Sequence, residues 1–130
     1  MKKDLMIDDI DLHCNIGDTI KKYINICVKW GNYIESGDSK NANKCSPVIQ
    51  EIHNAVVKEN NRNVILSFKD LFSHDNDTVR LETSVLFLRL HHSRLKALYV
   101  LYKISKKKKS LIAFDAKMIL REYIKGNLKW

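Results

Sequence analysis

Residues 71–90 read LFSHDNDTVRLETSVLFLRL. The first half closes one helix, the polar run HDNDT at 74–78 makes a turn too hydrophilic to bury, and a second helix opens at Thr78. From there Val79, Thr83, Leu86 and Leu90 form one stripe at helical spacing, while Leu81, Val85 and Leu88 form another on nearly the opposite side. A helix apolar on two sides must have neighbours on two sides. The stretch therefore predicts the central helix of a small helical stack, with Asp75 or Asp77 as its N-terminal cap.

Working outward, the spacing predicts five more helices. Upstream, Ile16, Ile20, Tyr23, Cys27, Trp30 and Ile34 step by four and three to the stop at Gly37. Asp38 or Ser39 can cap the next helix, which turns Val48, Ile49, Ile52, Ala55 and Val56 inward. Pro47 leaves two readings there: a helix from Asp38 holding the proline in its interior, at a cost of about 3 kcal/mol, or a loop to Ser46 with Pro47 first in the helix. A third helix, about 63–73, buries Ile65, Phe68 and Leu71 or Phe72. Downstream, 94–105 is expected to bury Leu95, Leu98, Leu101 and Ile104. The last helix, 111–125, turns in Ile112, Ala116, Ile119, Leu120 and Tyr123 and ends at Gly126, after which Leu128 and Trp130 can fold back.

With 130 residues, 45% of them hydrophobic and 29% charged, the chain can bury a core without disulfides or metal. One proline and four glycines favour long helices over a many-turned β fold. The expected organisation is an N-terminal arm over 1–15 and one all-α domain over 16–130, built as a HEAT- or armadillo-like stack of about six antiparallel helices. No apolar run is long enough to span a bilayer, and acids interrupt the N-terminal MKKDLMIDDIDLH in a way that a signal-peptide core does not tolerate. A cytoplasmic location follows as the expectation. Three cysteines with no C-x-x-C spacing suit reduced, partly buried thiols.

Charge is unevenly distributed. Residues 1–65 carry nine Lys/Arg and nine Asp/Glu, whereas residues 66–130 carry 14 and six, so the whole net charge of +8 lies in the second half. Such polarity points to an anionic partner. The strongest candidate surface combines Lys103, the run Lys106, Lys107, Lys108 and Lys109, and the stripe Lys117, Arg121 and Lys125, with Tyr99 and Tyr102 as aromatic neighbours. A solvated loop without a partner is the plain alternative for such a run.

Serial helix pairs of 35 to 40 residues, with Asp75, Asn76, Asp77, Val79 and Arg80 at the turn, are similar to HEAT repeats. More specifically, GDSKNANK at 37–44, LFSHDNDTVRLETSVLFL at 71–88 and AFDAKMILREYIKGNLKW at 113–130 resemble the small bacterial DUF2019 family over nearly the whole chain. Thr83 and Ser84 stand where that pattern has two alanines, and Pro47 interrupts a helix it keeps continuous. The resemblance implies an architecture without an established activity. It also implies company, since small HEAT-like bacterial proteins of this kind suit the role of immunity partner to a contact-dependent or polymorphic toxin.

No catalytic constellation emerges. His13 and Cys14 lie far in sequence from Cys27, Cys45 and His53, so no metal-ligand spacing forms, and the histidines read as surface imidazoles. A cysteine nucleophile with His74 or His91 as base would need a tertiary coincidence. Asp75 and Asp77 have a sufficient structural role at a helix N-terminus, and Arg80 is expected to pair with a helix end or with an acid of the neighbouring repeat. Asp75, Asp77, Arg80 and Gly126 are thus structural. The expected protein is a non-enzymatic binding module without cofactor, metal, membrane partner or small-molecule substrate. Its expected role is to neutralise a cognate toxin, and a nucleic-acid-binding repeat is the alternative.

Overall fold

A computed structural model describes residues 15–128. They form an all-α structure of six α-helices and one 3-10 turn, without a strand among the described residues. The chain divides into two compact units, one up to Asp70 and one from Leu71 onward. The expected N-terminal arm and the fold-back of Trp130 lie outside the described residues.

The first unit contains α1 (Ile16–Glu35), α2 (Ser39–Glu59) and α3 (Arg62–Lys69). In α1 the buried line is Thr19, Tyr23, Cys27 and Gly31, four residues apart each time, and Ile20, Trp30 and Ile34 are half-buried beside it. Gly37, in the left-handed region at φ +78°, turns the chain so that its N–H reaches Ile34 O at 3.1 Å. Asp38 then caps α2, accepting from Asn41 N–H at 3.1 Å and from the Asn41 side chain at 2.8 Å. Those two hydrogen bonds hold its carboxyl below the usual range. The capped helix continues through Pro47, which lies exposed on its outer side. Asp38 capping and the buried run Cys45, Ile49, Ile52, His53 and Val56 offset the missing hydrogen bond. Asn60 ends α2 at φ +47°, and Asn61 caps α3 through the N–H groups of Asn63 and Val64.

One contact in this unit was not legible from periodicity. His53 is fully buried instead of lying on the surface, and its Nε2 lies 2.8 Å from the buried Tyr23 hydroxyl. The Tyr23 ring also meets Phe68 edge-on, with centroids 5.2 Å apart. Tyr23 thereby fastens α1 to both α2 and α3.

The second unit begins within the 3-10 turn Asp70–Ser73, which is followed by α4 (Asp77–Leu90), α5 (Arg94–Ser105) and α6 (Leu111–Lys125). Helix α4 packs against α5 and also touches α6, and α5 packs against α6. As the two stripes require, α4 buries Val79, Thr83 and Leu86 together with Leu81 and Leu88, while Val85 and Leu90 are half-buried. Ser84 and Thr83 are fully buried. The Ser84 hydroxyl donates back to Arg80 O at 2.8 Å, and Thr83 Oγ1 finds no hydrogen-bond partner among the described residues.

The cap of α4 is Asn76, neither of the two acids beside it. Its side chain accepts from the N–H groups of Thr78 (2.9 Å) and Val79 (3.1 Å), and His74 Nδ1 in turn accepts from Asn76 N–H at 3.0 Å. Asp77 sits one residue too late to cap and Asp75 one too early. Asn76→Ala is expected to lower the stability of this unit by about 1 kcal/mol, whereas Asp75→Ala leaves it within about 0.5 kcal/mol. Urea titrations followed by circular dichroism measure both. Equal effects of the two substitutions would remove the capping assignment.

Helix α5 departs from its expected face. Ala97, Val100, Leu101 and Ile104 are buried, while Leu95 is 84% exposed and Leu98 half-buried. The helix has two apolar stripes. The smaller side chains of Ala97 and Val100 allow closer packing, so the stripe they share with Leu101 and Ile104 is the one that faces its neighbours.

Candidate functional site

The turn between α5 and α6, with the first turns of α6, encloses an open concavity of about 740 Å³. It is lined by Lys106, Lys107, Lys108 and Lys109 together with Leu111, Phe114 and Lys117. The fold positions it by local means. Lys106 closes α5, Lys109 takes the left-handed conformation at φ +56°, and Ser110 caps α6 by accepting from Ala113 N–H at 3.0 Å. Lys117 follows Phe114 by three residues, and both lie on the wall. The lysine run, read from sequence as a loop, is thus joined to one member of the helical stripe.

The lysines are not equivalent. Lys107 Nζ lies 2.7 and 2.9 Å from the two carboxylate oxygens of Asp77, tying the turn to the start of α4. Arg80 bonds the same carboxylate from within α4, instead of pairing with a helix end or an acid elsewhere. Burial works against ionisation of Asp77, but hydrogen bonds and charge from Lys107 and Arg80 outweigh it and hold the carboxyl below its ordinary range. Lys106 instead lies over the Tyr102 ring, 4.8 Å from its centroid. Among the described residues no acidic side chain pairs with Lys108, Lys109 or Lys117. Three cations thus share the rim of a concavity without neutralisation, a placement that favours an anion.

Other members of the expected surface sit elsewhere. Tyr99 and Tyr102 are 57% and 48% exposed on α5, and Lys103 lies 5.8 Å from the Tyr99 ring centre. None of these three lines the concavity, and neither do Arg121 and Lys125. Arg121 reaches Met118 Sδ at 3.8 Å, and Lys125 is the last residue of α6, where a cation complements the helix dipole. Gly126 ends α6 at φ +76°, its N–H on Tyr123 O at 3.0 Å. The apolar part of the rim, Leu111 (50% exposed) and Phe114 (58% exposed), was not legible as a site. The only signal in the sequence was that both fall off the buried stripe of Ile112 and Ala116.

Other chemistry has less support in these residues. Cys27 and Cys45 are buried, and burial pushes the Cys45 thiol up, contrary to an activated nucleophile. Among the described residues no three His, Cys, Asp or Glu side chains gather to hold a metal ion, and no helix is long and apolar enough to cross a membrane. His13 and Cys14 lie outside the described residues. No protein family, curated protein or solved structure matches the chain.

Proposed function

We propose that this protein is a non-enzymatic protein-binding module that engages an acidic surface through the concavity between α5 and α6. The observation that carries this reading is the grouping of Lys108, Lys109 and Lys117, without acidic partners, around a rim that also exposes Phe114 and Leu111. Mixed cationic and aromatic rims suit a macromolecular partner, because charge steers encounter while the buried ring supplies the lasting contact. The resemblance to DUF2019 proteins extends the proposal to a partner class, a toxin neutralised in the cytoplasm. Inhibition then needs no chemistry: occlusion of an active site requires about 1,200–2,000 Å² of matched interface.

The test pairs this chain with the product of the adjacent reading frame. Co-expression is expected to rescue growth, and calorimetry is expected to show a stable complex. Lys108→Glu, Lys109→Glu and Lys117→Glu combined are expected to weaken it by roughly 100-fold, with Lys107 left in place to keep its bond to Asp77. A harmless neighbour that does not bind removes the proposal.

One observation favours a second reading. Tyr99 and Tyr102 are exposed beside Lys103 and Lys106, an arrangement that also suits stacked bases on a phosphate-binding surface. Labelled single-stranded DNA and RNA should then bind with a steep loss of affinity as salt rises. Absence of binding at low salt eliminates that reading.

A further inference from the structure

Helix α5 exposes three large side chains on the side directly opposite its core face. At 100° per residue, Leu95, Tyr99 and Tyr102 cluster about half a turn away from Ala97, Val100, Leu101 and Ile104. Their exposures of 84%, 57% and 48% make this a continuous apolar stripe about 10 Å long, in contrast to the isolated exposed residues usual on a surface. Its border is cationic. Lys103 and Lys106 lie over the two tyrosine rings, and from Arg94 to Lys109 the chain has seven Lys/Arg and no acid. Lys106 also lines the neighbouring concavity, so stripe and concavity meet at one residue.

We infer that this outer face of α5 docks an amphipathic helix of a partner protein, one whose apolar stripe is flanked by Asp and Glu. The inference rests on the protein-binding reading above and specifies what part of a partner is held. A straight stripe at i, i+4 and i+7 matches the ridge of another helix, and packing of this kind brings the flanks of the two helices together. The flanks decide the occupant. A second copy of this chain would set the cations of one α5 against those of the other, whereas carboxylates would meet Lys103, Lys106 and Lys96 in favourable pairs.

The probe is a synthetic alanine-based helix with leucines at i, i+4 and i+7 and glutamates on both flanks. Controls replace its glutamates by lysines or its leucines by alanines. Fluorescence anisotropy is expected to show micromolar binding of the first peptide, at least tenfold weaker binding of the leucine-free helix, and none of the lysine helix. Leu95→Ser with Tyr99→Ser is expected to weaken the first peptide by at least tenfold. Both positions are solvent-facing, and an unchanged melting temperature would show that the fold is intact.

Absence of binding, or equal binding by the serine variant, overturns the inference. So does a dimer in sedimentation that the serine substitutions dissociate, since the occupant would then be a second copy. If the peptide is lost only on reversing Lys108, Lys109 and Lys117, the concavity reading stands and the stripe inference falls. If stripe-dependent binding holds but the neighbouring gene product does not associate, the stripe survives and the toxin reading falls.

Discussion

Phe87→Ala is expected to lower the stability of the second unit by about 3–5 kcal/mol, the largest effect of any single substitution considered. Phe87 is fully buried late in α4, its ring centre 5.0 Å from that of Phe72 and 5.7 Å from that of His92. It therefore holds three successive pieces of chain together: the 3-10 turn before α4, α4 itself, and the loop after it. Truncation removes the apolar burial and both ring contacts, and neighbours drawn from three segments cannot all close on the space left behind. Leu95→Ala is the control. On a side chain 84% exposed it should change stability by less than about 0.5 kcal/mol, although the spacing of Leu95, Leu98, Leu101 and Ile104 predicts from sequence that Leu95 is core. Urea unfolding followed by circular dichroism measures both. A loss below about 1 kcal/mol for Phe87→Ala would falsify the packing of its ring between the 3-10 turn and the loop after α4.

The second large effect is electrostatic and has the opposite sign. Burial, and then the Asp115 carboxylate, push the Glu82 carboxyl up from its ordinary 4.5 to about 7. Between those values the folded chain binds more protons than the unfolded one. Stability attributable to Glu82 is therefore highest at acidic pH and is lost as pH rises from about 4.5 to about 7. At roughly 1.36 kcal/mol per pH unit the window sets a ceiling near 3 kcal/mol, and the residue's partial exposure to water brings the expected loss to about 1–2 kcal/mol. Glu82→Gln is thus expected to stabilise the protein by about 1–2 kcal/mol at pH 8 and to change it little at pH 4.5.

Asp77 acts in the reverse direction. Its lowered pKa contributes stability that is present above the unfolded carboxylate value and lost as pH falls through the folded one. The two groups are separable by the side of the ordinary carboxylate range on which each acts. Identical pH–stability curves for wild type and Glu82→Gln between 4.5 and 7 would show that Glu82 is not held in a burying environment.

For the candidate site, legibility followed the range of the interactions involved. A run of four lysines reads directly as a solvated loop, because its cause, the mutual repulsion of neighbouring charges, is local. That Lys107 is occupied by Asp77, 30 residues away, while Lys108 and Lys109 are not, depends on how the turn approaches α4. The same holds for Phe114 and Leu111, whose exposure depends on which side of α6 its neighbours leave open.

By itself the sequence determined the helical class, four of the five turns between helices and the two-sided burial of α4, because helical period, polar turn residues and Gly126 act within a few residues of themselves. Tertiary structure alone decided which of two apolar stripes on α5 became core, how Pro47 is carried inside α2, and that His53 is buried against Tyr23. Each of these turns on competition between nearly equal local options. Only packing against segments distant in the chain separates options that local energies leave within a kcal/mol or so of each other.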